Sequence, residues 1–85
     1  MMKKDLIYKA INEILLKEWD PIGLNSFPKD EYSGYVPTIY KKMKNGTNLK
    51  GLSDLLLKIE STSLGVVEDV QRCDIAAEKL LKIEL

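Results

Sequence analysis

Residues 47–65 read TNLKGLSDLLLKIESTSLG, and this stretch decides the fold class. Leu49, Leu52, Leu55, Leu56 and Ile59 recur at helical spacing and make a single apolar stripe. Thr47 or Asn48 is placed to cap the start through a side-chain oxygen. Gly65 closes the segment. Nowhere in the chain do β-branched residues alternate over a strand length with turn signals on both sides. The spacing predicts a helix over about 48–62.

The same reading extends in both directions. Upstream, Ile7, Ile11, Ile14, Leu15 and Glu18 share a helical face, with Leu6 and Ala10 widening its stripe. A helix over about 3–18 follows. Asp20-Pro21 then disfavours continuation, because a residue before proline is pushed out of the α region, and Gly23 is free to take positive φ. Pro28 suits the first turn of a second helix over about 29–44, where Asp30-Glu31 would complement its dipole. Tyr32, Tyr35, Val36, Ile39, Tyr40 and Met43 continue it. Pro37 falls inside the pattern and predicts a kink or a division, and Asn45-Gly46 ends it. Downstream, Val67, Val70, Cys73, Ala77, Leu80 and Leu81 predict a helix over about 67–83 with Glu68-Asp69 in its first turn. Residues 1–85 therefore read as one small, irregular, all-α domain of four helices.

A chain of 85 residues buries only roughly 60–65% of its unfolded surface, so the core must be simple or lean on a partner. Thirteen basic and 13 acidic residues leave a net charge of zero, which argues against a dedicated nucleic-acid binder. The charges are segregated along the chain. Lys41, Lys42, Lys44, Lys50 and Lys58 oppose only Asp54. Glu18, Asp20, Asp30 and Glu31 oppose Lys29, and Glu60, Glu68, Asp69, Asp74 and Glu78 oppose Arg72. Two acidic blocks flanking a basic one predict a two-signed surface. The single cysteine, Cys73, forms no intramolecular disulfide, and a reducing cytoplasm is the natural expectation. The N-terminal MMKKDLIYKA has no continuous apolar run of the kind a signal peptide needs. No apolar run approaches the roughly 20 residues of a membrane span.

The residue inventory argues against an enzyme. Histidine is absent, which removes the commonest general base and metal ligand, and one cysteine without histidine does not supply a structural zinc site. GTNLKG, residues 46–51, lacks the spacing and ending of a phosphate-binding loop. No metal, cofactor or catalytic residue is expected. Asp20, Asp30, Glu31 and Glu60 could converge, and two carboxylates suffice for glycoside hydrolysis, but a cleft is hard to build from so short a chain. Cys73 lies on a helical stripe and reads as a buried thiol. Trp19, just beyond an apolar stripe, reads as a lid over the helix ends. Tyr32, Tyr35 and Tyr40 do not all fit one core, since 35 and 40 lie about 140° apart on an ideal helix. An exposed tyrosine beside carboxylates has the composition of a protein-binding patch. The lysines at 41, 42 and 44 read as solvated surface.

The order W-D-P-I-G (Trp19 to Gly23), D-E-Y (Asp30 to Tyr32), Tyr35, Ile39, Gly46, Leu55-Leu56, Ile59-Glu60 and Leu64-Gly65 resembles a family of small bacterial helical proteins classed as a domain of unknown function. The resemblance covers about residues 10–65, roughly two thirds of the chain, and leaves out the tail. It implies an all-helical fold and brings no catalytic residues. By analogy of type, small proteins of this build serve as immunity proteins in bacterial toxin systems, including contact-dependent growth inhibition. There they bind a cognate toxin domain, often a nuclease, and block its active site. The expected partner is such a protein, not nucleic acid or membrane, with weak homodimerisation left open. The expected contact residues are Asp20, Asp30, Glu31, Tyr35, Glu68, Asp69 and Asp74. The alternatives are a housekeeping interaction module and a carboxylate-dependent hydrolase.

Overall fold

The computed structural model describes residues 3–20, 23 and 32–83. Among them are four α-helices and no strand: α1 (Lys4–Ile14), α2 (Val36–Lys44), α3 (Leu49–Lys58) and α4 (Val70–Leu81). The all-α expectation holds. Pro28, Asp30 and Glu31, expected to open the second helix and, for the two acids, to contact a partner, lie outside the described residues.

Both α1 and α3 end in a wider π-helical turn, Leu15–Trp19 and Ile59–Ser63. In each, the backbone hydrogen bond spans five residues: the Asp20 N–H donates to the Leu15 carbonyl (2.8 Å) and the Leu64 N–H to the Ile59 carbonyl (3.0 Å). Such turns add a residue to the helical register and often accompany functional sites. Here the first carries Leu15, Leu16 and Trp19, all buried, and the second carries Ile59 and Glu60, both buried. Asp20 closes the first turn at φ 33°, a left-handed conformation that aspartate tolerates better than most residues.

The second helix corrects the sequence reading. A single 3-10 turn, Ser33–Tyr35, leads into α2 at Val36. Pro37 therefore sits in the first turn, where a missing N–H costs nothing and the fixed φ is already helical. It starts the helix; no kink forms within it. Gly46 ends α2 with φ +84°. Of the two candidate caps on α3, Asn48 serves: its Oδ1 accepts the Gly51 N–H at 2.9 Å.

The fourth helix also starts later than its spacing predicts. Asp69 is its N-cap, accepting the Arg72 N–H, and α4 begins at Val70. Val67 is 87% exposed and Val70 58%, so neither belongs to the buried stripe. Leu6, Leu49 and Leu81, also assigned to stripes, are exposed as well. The core is built from Ile7, Ile11 and Leu15 of the first helix, Val36, Ile39 and Met43 of α2, Leu52 and Leu56 of α3, and Cys73, Ala76, Ala77 and Leu80 of α4. Each fully buried aliphatic side chain stabilises the fold by roughly 1.5–3 kcal/mol. The small Cys73, Ala76 and Ala77 give α4 a narrow face toward its neighbours, and α3 and α4 share the most extensive packing. Among the described residues no helix is long and apolar enough to cross a membrane.

Candidate interaction site at the acidic end

The ends of α1 and α3 meet the start of α4 around one buried carboxylate, Glu60, which is 0% exposed. Five donors reach it. Its Oε2 accepts the Trp19 indole N–H (2.8 Å), the Arg72 Nε–H (3.0 Å) and the Cys73 thiol (3.1 Å). Its Oε1 accepts Arg72 Nη2 (3.0 Å) and the Asp69 backbone N–H (3.0 Å). The Arg72 contact is a two-pronged fork, the strongest geometry open to this pair, and it uses the chain's one arginine. Burial by itself pushes the Glu60 carboxyl up. The Arg72 guanidinium, the Cys73 thiol, the Asp69 amide and the Trp19 indole outweigh it and hold the group below the ordinary carboxylate range.

Trp19 is the lid that its position predicts, 1% exposed. Tyr32 packs beside it with ring centroids 5.5 Å apart, and Tyr35 stands edge-on at 6.5 Å. Tyr32 is fully buried, whereas Tyr35 and Tyr40 are half-buried at the margin of the core. The separation of about 140° expected on one helix does not apply, because Tyr35 lies in the 3-10 turn before α2. Both Tyr35 and Tyr40 pack against the core, so the exposed tyrosine expected from the sequence is not found among the described residues.

The same carboxylate anchors a loop, residues 65–69. Gly65 turns at φ +65°, the Val66 N–H donates to the Glu60 carbonyl (2.9 Å), and Arg72 Nη2 donates to the Val67 carbonyl (3.1 Å). Together with the Asp69 N–H, these bonds fasten the loop's backbone while the Val67 and Glu68 side chains stay exposed. The result is a short acidic loop with an apolar tip, its backbone hydrogen-bonded from beneath.

Of the expected contact residues, Asp20 and Asp69 lie at this end of the molecule. Asp20 follows the lid Trp19, and Asp69 is joined to that same lid through Glu60. Asp20 accepts the Tyr32 hydroxyl at 2.8 Å, and Asp69 serves as a cap, so each also holds the fold. Glu68 is free of such duties in the loop and Tyr35 borders Trp19. Asp74 lies apart, in a shallow hollow between α3 and α4 lined also by Leu49, Leu57 and Val70, where it accepts the Ser53 hydroxyl at 2.6 Å. Sequence reasoning missed Arg72, Val67 and the central role of Glu60. One signal was present: the chain's one arginine sits in an acidic block, 12 residues from a glutamate on a leucine-rich helix.

Cys73 is buried, and its thiol is pushed up to about 12, first by burial and then by its hydrogen bond to Glu60. Since the thiolate is the nucleophile, native protein at pH 8 is expected to resist iodoacetamide. Labelling should track the unfolded fraction across a urea titration. Labelling of native protein at the rate of a free cysteine would show that the lid opens without unfolding. Among the described residues no group of three or more His, Cys, Asp or Glu side chains is placed to hold a metal ion.

No protein-family model matches this chain, and no curated protein or solved structure does so significantly.

Proposed function

We propose that the chain is an immunity-type inhibitor that binds a cognate bacterial toxin domain, a nuclease, in the cytoplasm and occludes its active site. One observation carries the reading: the loop at 65–69, whose exposed Val67 and Glu68 ride on a backbone fastened to a buried ion pair. A loop already held in one conformation loses little entropy on docking, which raises affinity without added area. Its chemistry is complementary to a nuclease cleft. Clefts that hold phosphates are basic, and Glu68 with Asp20 and Asp69 nearby supplies the opposite sign and steers association. Val67 supplies an apolar tip that a partner can desolvate. Tyr35, half-buried beside Trp19, adds amphipathic area of the kind that dominates interface energetics.

The test uses the C-terminal domain encoded by the gene immediately upstream. The wild-type chain is expected to bind that domain one to one and stop its cleavage of RNA. Val67→Asp with Glu68→Lys changes two exposed side chains and leaves the fold intact, so folded double variant should bind more slowly at low salt and lose protection. An upstream domain that is neither bound nor inhibited overturns the proposal. Wild-type-like protection by the variant would remove the loop from the interface.

A further inference from the structure

The end of the molecule opposite the acidic loop carries the reverse charge in an organised form. Lys4 Nζ lies 5.3 Å from the Tyr8 ring centre and 5.9 Å from that of Tyr40, to one side of two rings that meet edge to face at 5.3 Å. Lys44 Nζ approaches the same Tyr40, 5.7 Å from its centre and 3.3 Å from its hydroxyl, to which it donates. That second geometry places the ammonium beyond the ring edge, so Lys44 is held by the hydroxyl more than by the π face. The ion pairs among the described residues are Lys50–Asp54, Arg72–Glu60 and Lys82–Glu78, and they leave out both Lys4 and Lys44. Lys3, Lys41 and Lys42 are exposed on the same helix ends, opposed there by Asp5.

We propose that the chain associates with itself, the Lys4–Lys44 end of one copy receiving the Val67–Glu68 loop of another. Three observations carry this. Among the described residues the two surfaces have opposite charge: Lys17 and Lys58 only partly offset Glu18, Asp20, Glu68 and Asp69 at the acidic end. Val67, 87% exposed, gives the acidic loop an apolar tip to bury. The net charge of zero leaves no overall repulsion between copies. The helix from Lys4 to Trp19 separates the two ends by roughly 20–24 Å, so they are distinct patches and the contact joins unlike surfaces. Ring faces partly covered by lysine suit carboxylates better than stacked bases, which favours an acidic protein surface over single-stranded nucleic acid. A loop tip buries far less than the roughly 1,200 Å² of a stable interface. The association is therefore weak and salt-dependent. It shares Glu68 with the proposed toxin contact but does not require that reading, because it involves purified chain alone.

Charge exchange tests it by sedimentation equilibrium. At about 10 mM salt, where screening is weak, the mean mass of the wild-type chain should rise with concentration, and it should return to the monomer at about 0.5 M salt. Lys4→Glu with Lys44→Glu should abolish the rise, as should Glu18→Lys with Glu68→Lys. All four positions are exposed, and circular dichroism verifies that both variants are folded. An equimolar mixture of the two variants should restore association. Wild type that stays monomeric at low salt, a mixture that fails to associate, or association indifferent to salt would each overturn the proposal. So would a basic end that binds poly-uridine RNA while the wild-type chain alone remains a monomer.

Discussion

Glu60→Ala is expected to cost about 3–5 kcal/mol, because it leaves the Arg72 guanidinium without its counter-charge and strands the donors converging on one carboxylate. The whole stability of a domain is only about 5–15 kcal/mol, so this one change can leave much of the chain unfolded at 37 °C. Glu60→Gln separates charge from shape, since it keeps the volume and removes the ion pair. The pH dependence has a definite sign. The Glu60 carboxyl sits below its ordinary value in the folded state, so its contribution is present above the unfolded value of about 4.3. It is lost as pH falls through the lowered folded value. Urea unfolding followed at pH 7 and again near pH 3 reads this directly. The gap between wild type and Glu60→Gln should be wide at pH 7 and narrower at pH 3. A gap that does not change with pH would mean that the carboxylate's charge contributes nothing to the fold.

Trp19→Ala is expected to cost a comparable amount, about 3–5 kcal/mol, by opening a cavity under the helix ends. Two contributions are mixed in that figure, the packing of the indole against Tyr32 and Tyr35 and its hydrogen bond to Glu60. Trp19→Phe retains most of the packing and loses the bond, and should cost roughly 1.5–3 kcal/mol, the range for a hydrogen bond to a charged acceptor. Because both residues belong to one network, Trp19→Phe combined with Glu60→Gln should destabilise less than the two changes added together. Far-UV circular dichroism is the appropriate probe, since the substitution removes the indole fluorescence. Strict additivity would show that the 2.8 Å bond is energetically silent.

What the sequence alone determined is the part governed by local period and local chemistry. Leu52, Leu56 and Ile59 repeat as a helix repeats, and they are buried as a helix facing a core requires. Asn48, Gly46 and Gly65 act within a turn of their own positions, so the helix limits around them were legible. Trp19 could be placed because an apolar stripe ends beside it. Pro37 was misread because a proline marks either an interruption or a first turn, and only the start of α2 at Val36 distinguishes the two. Val67 and Val70 followed the helical period yet stand in solvent, since the loop's tethering to Glu60 and Arg72 delays α4 until Val70. That tether, and the convergence on Glu60 of groups up to 41 residues away, was decided by tertiary structure. A buried carboxylate persists only where donors from several segments reach it together, and no one-dimensional pattern encodes that meeting. The separation of a basic end from an acidic one has the same origin: the charge blocks are visible in the chain, but the packing of the helices sets which of them share an end.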